Sequence, residues 1–367
     1  MLSQAAQDIL SAKMEIMAGV GDDEMTAEEH KAALQIGHGI LQQIYEKGIA
    51  SVIPPSSEPE IPADVGQFRI FPYSLPATQP PYRVPGSPDI EKKLNDLHER
   101  DRSPGLGNTM VAACAAGVAE GPDMLECQPL QSDEQIIMFL CGGGFISSDI
   151  PSLKWLYIRL SQELQQRVFV PRYSVAPQHV FPRPIHDVYT ALHFLQASGF
   201  ALRNITLVCI SAGANIGMAT LQLLQSEPVK GAVIISPCLD LTLSMDSWRR
   251  NQDKCVLHYT PLENPLSMPR VYFGDVDDLG VFSHPLLSPL NADHTAWPPL
   301  LIQTGTDDAM VDEAVELARR IREVDPEGVD LEVYPDCNHY SILRGRSQLD
   351  KVYQRVRTFV DGLVTQV

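Results

Sequence analysis

Residues 207–217 read Leu-Val-Cys-Ile-Ser-Ala-Gly-Ala-Asn-Ile-Gly, and this stretch decides which fold we predict. An apolar run ends in Ser-Ala-Gly and gives way to helix-forming residues, as when a strand delivers a nucleophilic serine into a tight turn. The usual form is Gly-x-Ser-x-Gly, because Cβ atoms two residues either side of the serine crowd the strained backbone. Gly213 supplies the second glycine, whereas Cys209 stands in place of the first. Taken alone, Ser211 is either a nucleophile or a structural serine.

The composition of the chain narrows the classes of protein to which it can belong. Its 367 residues are 44% hydrophobic and 20% charged, which is typical of an enzyme with a substantial core. The 28 Lys and Arg against 46 Asp and Glu give a net charge of −18, which argues against nucleic acid or an anionic membrane as partner. Seven cysteines without a C-x-x-C pattern predict reduced thiols rather than disulfides or a zinc site. No signal-peptide core and no apolar run of the ~18 residues of a membrane span is present, so we expect a soluble, cytoplasmic protein.

Two regions of different character follow one another along the chain. Before residue 110 there are helical spacings, a capping-box pattern at Thr26-Ala-Glu-Glu29, and a proline-rich connector over 53–87 in which 68–71 can form a short strand. From about residue 133, apolar strands alternate with helical spacings. We predict strands over 135–140, 167–170, 205–209, 232–236, 300–304 and 329–334. This alternation predicts an α/β fold with a mostly parallel sheet covered on both faces.

A glycine-rich turn, Cys141-Gly-Gly-Gly-Phe145, directly follows the first of these strands. Three successive glycines leave backbone N–H groups unshielded, as an oxyanion hole requires to hold the charge of a tetrahedral intermediate. A flexible turn is the alternative interpretation. A phosphate cradle is a weaker one, because no Gly-Lys-Ser/Thr follows.

Acid and base candidates follow the last two predicted strands. Asp307, Asp308 and Asp312 compete as the carboxylate, although each could equally be a loop acid or a helix N-cap. His339 follows the final strand, where a lone histidine could also be an ordinary loop residue. The chain order is a glycine-rich strand end, then serine, aspartate and histidine, which is the order of the α/β-hydrolase triad. This order favours Ser211 as a nucleophile over each separate alternative.

Four further segments resemble the hormone-sensitive-lipase-like family of carboxylesterases, of the α/β-hydrolase fold-3 type. They are Tyr-Ser-Val-Ala-Pro-Gln-His at 173–179, Ser-Pro-Cys-Leu-Asp-Leu at 236–241, Ser-Pro-Leu at 288–290 and Pro-Pro-Leu-Leu at 298–301. The resemblance implies an α/β-hydrolase fold, with a mostly parallel central sheet flanked by helices. It also implies a helical cap and connector over residues 1–110, a catalytic domain over 111–367, and a cap insertion at about 239–285.

The resemblance further implies a role for individual residues. The implied catalytic residues are Ser211 as nucleophile, His339 as general base and Asp308 as the acid that orients it, and the implied oxyanion hole is formed by the amides of Gly143, Gly144 and Ala212. No metal and no organic cofactor is implied, and the partner is a small-molecule ester. The chain departs from the family at Cys141, which replaces a histidine, and at Cys209, which replaces a glycine.

The function predicted from these residues is that of a serine hydrolase that cleaves a carboxylic ester or lactone of a small to medium apolar substrate through an acyl-enzyme. One alternative is an amide-type hydrolase such as an arylformamidase. Another is a non-hydrolytic receptor or rearrangement catalyst, in which Cys141 and Cys209 mark a relaxed catalytic constraint. The oligomeric state is left open between a monomer and a homodimer.

Overall fold

A computed structural model describes residues 69–73, 82–101, 108–113, 134–146 and 153–364, with short gaps at 178, 198, 225–227, 258 and 345. The helical spacings and the capping box predicted before residue 69 lie outside the described residues. The same holds for most of the proline-rich connector. The strand predicted at 68–71 is found as Arg69–Tyr73.

Eight strands form one sheet in the described part of the chain. They are β1 (Arg69–Tyr73), β2 (Asn108–Ala113), β3 (Ile136–Leu140), β4 (Arg167–Pro171), β5 (Ile205–Ile210), β6 (Gly231–Ile235), β7 (Leu300–Gly305) and β8 (Val329–Tyr334). Their order across the sheet is β1-β2-β4-β3-β5-β6-β7-β8. The pairs β1–β2 and β2–β4 are antiparallel, and all strands from β4 to β8 run parallel. The predicted α/β fold is therefore confirmed, whereas β2 was not predicted.

Helices cover both faces of this sheet. They are α1 (Pro88–Asp101), α2 (Lys154–Leu164), α3 (Arg183–Ala197), α4 (Ala212–Leu221), α5 (Ser247–Arg250), α6 (Met268–Phe273), α7 (Val311–Val324) and α8 (Arg346–Val364). Successive side chains of a strand point to opposite faces. Met138 accordingly packs in one buried cluster with side chains of α3, α4 and α7, while Ile137 packs in a second with side chains of α2 and α8. Among the helices of the described segments, none combines the length and the apolar character that a membrane crossing requires.

The predicted boundary between residues 110 and 111 falls inside β2. Within the segment predicted as cap and connector, β1 belongs to the central sheet and α1 contacts α3. The predicted cap insertion at about 239–285 contains α5 and α6. The division into a cap and a catalytic domain stays a prediction, since residues 1–68 lie outside the described part of the chain.

Candidate active site

Ser211 lies in the turn between β5 and α4. All six residues of β5 are buried, and the helix begins at Ala212, directly after the serine. Ser211 has φ 54° and ψ −122°, a backbone conformation that residues with a Cβ rarely adopt. Its N–H donates to the carbonyl oxygen of Ile235 at 3.0 Å, and its own carbonyl oxygen accepts from the Ala214 N–H at 2.9 Å. The strained turn predicted from the sequence is present and held on both sides.

Gly213 allows this turn to pack against the end of β3. A Cβ atom at position 213 would lie 2.5 Å from the carbonyl oxygens of both Leu140 and Cys141. Because these are backbone atoms of a central strand and the loop after it, they cannot move aside cheaply. The second glycine of the motif is thus required by a close approach of two main chains.

Cys209 occupies the position of the first glycine because α4 leaves room for its sulfur. The side chain is fully buried in β5, and a Cβ atom at Gly217 would lie only 2.9 Å from its Sγ. A glycine one turn into the helix therefore compensates for a cysteine in the strand. Burial raises the pKa of the Cys209 thiol, so the group stays neutral at physiological pH.

Asp308 is the carboxylate that faces His339. The Nδ1 atom of His339 lies 3.2 and 3.3 Å from the two carboxylate oxygens, and the Met310 N–H donates to Oδ1 at 3.0 Å. Asp308 is fully buried. Burial by itself raises the pKa of this carboxyl, but the imidazole and the Met310 N–H together hold the pKa of Asp308 below its usual value. The buried carboxylate therefore stays ionised.

The two competing carboxylates have other partners. Asp307 Oδ1 lies 2.9 Å from Lys254 Nζ, and Asp312 forms an ion pair with Arg250 in which N and O are 2.6 Å apart. Asp308 is the one of the three that is hydrogen-bonded to His339 within the described segments. Of the three carboxylates, Asp308 is therefore the one in position to act on His339, and it is also the one that the family resemblance implies.

The predicted nucleophile, base and acid form one hydrogen-bonded series. His339 Nε2 lies 3.0 Å from Ser211 Oγ, while its Nδ1 faces Asp308. A carboxylate next to Nδ1 places the imidazole proton there and leaves Nε2 free to accept the serine proton. Ser211 remains 9% exposed, whereas Asp308 is not exposed at all. This arrangement can activate a hydroxyl group as a nucleophile at the surface of the site.

The glycine-rich loop passes directly over the serine. A Cβ atom at Gly142 would lie 3.1 Å from Ser211 Cβ, which measures how closely the loop approaches. Gly143 and Gly144 have φ values of 149° and 60°, a region that favours glycine. Ala212 is the first residue of α4, and the first N–H groups of a helix have no acceptor within it. Ala212 thus adjoins Ser211, and Gly143 and Gly144 belong to the loop that approaches it at Gly142; the oxyanion role of the three amides stays a prediction.

Sequence reasoning missed the side chains that fix these loops. Tyr173 Oη donates to the carbonyl oxygen of Cys141 at 2.5 Å, and the ring of Phe145 stacks on Tyr272 with a 4.0 Å distance between ring centroids. Asn251 donates to carbonyl oxygens of the turn that carries Asp308. Tyr173 had a signal in the sequence as the first residue of the 173–179 motif, and Phe145 as the last residue of the glycine-rich turn, but no role in fixing these loops followed from either.

Comparison with known proteins agrees with this geometry. A family model described as alpha/beta hydrolase fold matches residues 137–343. An esterase from Acinetobacter venetianus is 28% identical over 203 residues, which are 54% of this chain and 65% of that protein. An acetyl-hydrolase from Streptomyces hygroscopicus is 30% identical over 190 residues, which are 51% of this chain and 62% of that protein. The chain thus spans slightly less than two thirds of the length of these two relatives.

Solved structures carry the same backbone arrangement. The crystal structure of an esterase from the bacterial hormone-sensitive lipase family matches with a TM-score of 0.59 at 18% identity, covering 97% of this chain and 98% of that chain. At this identity the likeness shows the fold. The family model covers more than half of the length of this chain. The resemblance predicted from the motifs is therefore confirmed, and the chain belongs to the alpha/beta hydrolase fold family.

Proposed function

We propose that this chain is a serine hydrolase that cleaves carboxylic esters. The observation that carries the proposal is the series from Ser211 Oγ to His339 Nε2 at 3.0 Å and from His339 Nδ1 to Asp308 at 3.2 Å. The names of the two curated relatives, an esterase and an acetyl-hydrolase, support an ester as the bond that is cleaved. The name acetyl-hydrolase also supports a small acyl group, which agrees with the small to medium apolar ester or lactone expected from the sequence.

In the proposed first step, Ser211 Oγ attacks the ester carbonyl carbon while His339 Nε2 takes the hydroxyl proton. The carbonyl oxygen gains a negative charge, and the amides of Gly143, Gly144 and Ala212 stabilise it. Loss of one such donor typically costs about 10²–10³ in kcat. The proton on His339 then passes to the leaving alcohol, which departs as the acyl-enzyme forms. Water, deprotonated by His339, then attacks the acyl carbon, and His339 returns this proton to Ser211 Oγ as the bond between Oγ and the acyl carbon breaks and the carboxylic acid leaves.

The ionised state of Asp308 supports its proposed role. During both steps His339 becomes a cation, and a buried carboxylate in contact with Nδ1 stabilises that cation. The pKa of Asp308 is held below its usual value, so the carboxylate is ionised at neutral pH. Its buried position also fixes the orientation of the imidazole.

The proposal is tested by replacing the nucleophile. The variant Ser211→Ala is expected to lose at least ~10⁴ in kcat for p-nitrophenyl acetate and butyrate, because the acyl-enzyme can no longer form. A fluorophosphonate probe is expected to label the wild-type protein at Ser211, as read by peptide mass spectrometry, and to leave Ser211→Ala unlabelled. The matched control is Ser283→Ala, which removes an exposed serine that donates to the Gly280 carbonyl oxygen. Undiminished ester turnover by Ser211→Ala would refute the proposal, and a panel with formamides and lactones reports which acyl bond is preferred.

A further inference from the structure

The turn that carries Asp308 is bound by a distant part of the chain, residues 247–255, which we call the clamp segment. Within it, Asn251 donates from Nδ2 to the carbonyl oxygen of Asp308 at 2.8 Å and to that of Thr306 at 3.0 Å. The asparagine is 57 residues from Asp308 in sequence and 3% exposed. One side chain therefore bridges both ends of the turn in which the carboxylate stands.

Further contacts join the clamp segment to both catalytic loops. Ser247 Oγ donates to the carbonyl oxygen of Ala309 at 2.7 Å, next to the acid. Asn338, the neighbour of His339, donates from Nδ2 to the carbonyl oxygen of Lys254 at 2.8 Å. The clamp segment is thus hydrogen-bonded to the acid loop and to the histidine loop at the same time.

The chemistry of these contacts requires an amide at position 251. Both neighbours of Asn251 Nδ2 are carbonyl oxygens, which only accept hydrogen bonds, and an amide nitrogen is the part of asparagine that donates two. Alanine would remove both donors. Aspartate would retain the size of the side chain but face the carbonyl oxygens with a further acceptor.

The position of the turn sets the position of the carboxylate. The Asp308 N–H donates to the carbonyl oxygen of Gly305 at 3.1 Å, so the backbone of the residue is fixed by the turn rather than by a long element. The distances from Asp308 to His339 Nδ1 are already 3.2 and 3.3 Å, near the long end of hydrogen bonding. A small displacement of the turn would therefore separate the pair.

We propose that Asn251 is a positioning residue for the Asp308–His339 pair. The inference rests on the proposed function, because the pair has a catalytic role only if it activates Ser211. Within the described part of the chain, the side chain of Asn251 is hydrogen-bonded to the main chain of the acid loop and not to the imidazole, so it acts on the pair through that main chain. Its loss should therefore affect the chemical step more than the binding of substrate.

The test compares Asn251→Ala with the wild-type protein and with Asn95→Ala. Asn95 is a matched control, because its Oδ1 accepts from the Tyr82 N–H at 2.8 Å and its Nδ2 donates to the Tyr82 carbonyl oxygen at 3.3 Å, on α1. We measure kcat, KM and Tm with p-nitrophenyl butyrate, each assay well below the Tm of the variant. For Asn251→Ala we expect kcat to fall about 10- to 100-fold, since a misplacement of about 1 Å can cost ~10² in rate. We expect KM to stay within about twofold, and Asn95→Ala to retain the wild-type kcat.

The outcomes separate this inference from the proposed function. Wild-type protein that neither turns over esters nor reacts with the fluorophosphonate overturns both. Wild-type turnover together with an unchanged kcat in Asn251→Ala overturns the positioning role alone, and so does an equal loss of kcat in the two asparagine variants. If Asn251→Ala does not fold, Asn251→Asp decides the question, because it retains the side-chain volume. The same loss of kcat at constant KM is expected there.

Discussion

The main-chain hydrogen bonds that hold Ser211 and its turn reach no further along the chain than Cys238, whereas those that hold the Asp308–His339 side of the site join segments much further apart. The Ser211 carbonyl oxygen accepts from the Ala214 N–H in the first turn of α4, and the Ser211 N–H donates to the Ile235 carbonyl oxygen at the end of β6. On the other side, the hydrogen bonds from Asn251 to Asp308 and from Asn338 to Lys254 span 57 and 84 residues. The hydrogen bonds of the serine half are thus shorter in sequence than those of the acid half.

The two halves of the site also differ in what their surroundings must provide, which is free space for the serine turn and hydrogen-bond donors for the acid turn. The serine turn needs space for two close contacts. At Gly213 the main chain of α4 approaches the main chain at the end of β3, and at Gly217 it approaches the thiol of Cys209. The acid side needs hydrogen-bond donors, because its turn presents carbonyl oxygens that are buried with Asp308. Substitutions that add volume should therefore damage the first half, and those that remove a donor or a charge should damage the second.

The largest effect is expected from exchanging one of two adjacent carboxylates. Asp308→Asn should lower kcat by about 10⁴, because the amide can no longer stabilise the His339 cation and favours the wrong tautomer. Asp307→Asn removes only the partly exposed pair with Lys254, so kcat should change by less than about fivefold. Steady-state kinetics with p-nitrophenyl butyrate measure both.

These neighbouring variants form their own control, since they make the same chemical change one residue apart. Similar losses of kcat in both would show that the acid loop, rather than one buried carboxylate, is the sensitive feature. A large loss in Asp307→Asn alone would contradict the assignment of Asp308. Circular dichroism and Tm confirm that each variant is folded before the rates are compared.

A smaller effect is expected at the packing contact between Cys209 and Gly217. Alanine normally favours a helix over glycine by about 1 kcal/mol. Here its Cβ would lie 2.9 Å from the Cys209 Sγ, so Gly217→Ala should instead lower the free energy of unfolding by about 1–3 kcal/mol. The double variant Cys209→Ala/Gly217→Ala removes the sulfur and should recover most of that loss, as measured by chemical denaturation.

Gly362→Ala, in α8, is the control for this contact. Apart from the helix's own backbone, a Cβ atom at position 362 would meet none of the described residues within 4 Å, so the substitution should be neutral or stabilising. Additive effects of Cys209→Ala and Gly217→Ala, with no coupling between them, would contradict the account of how the cysteine is accommodated.

The difference between contacts that are close in sequence and contacts that are far apart also explains how much of the molecule could be predicted from the sequence. Strands such as β5 and β7 were predicted within a residue or two, because their buried apolar runs are local signals. β2 was not predicted, since its sequence, Asn-Thr-Met-Val-Ala-Ala, is short and its pairing with β1 and β4 depends on distant segments. The sheet order follows from such pairings and not from any one stretch.

The same limit applies to the candidate site. Ser211 could be predicted from its turn and His339 from its place in the chain order, and the structure brings them together. Asp308 was separated from Asp307 and Asp312 by a family resemblance alone, because all three are similar loop acids in sequence. Asn251 could not be predicted, since its partners are main-chain carbonyl oxygens that no sequence pattern marks. The Cys209–Gly217 contact likewise involves two elements whose packing is set by the fold.

The last prediction concerns the reactivity of two buried thiols, one on each side of the site. We expect both to react hardly at all with an alkylating reagent. Cys209 and Cys255 are both fully buried. Burial, together with the charge of Asp308, raises the pKa of Cys255 to about 12, and burial raises that of Cys209 further. Because the thiolate is the reactive form, iodoacetamide at pH 8 should alkylate neither in the native protein and both after unfolding. Peptide mass spectrometry measures each cysteine separately.

Cys337 provides the internal reference, since it is 8% exposed and its burial is less complete. It should react more slowly than an unfolded thiol but faster than the other two. Native alkylation of Cys209 would contradict its tight packing against Gly217. Alkylation of Cys255 while Cys209 stays protected would show that the clamp segment opens from the acid and histidine loops as the serine turn remains closed. The acid and histidine side of the site would then be the side that opens first, as expected when its hydrogen bonds join segments that are far apart in the chain.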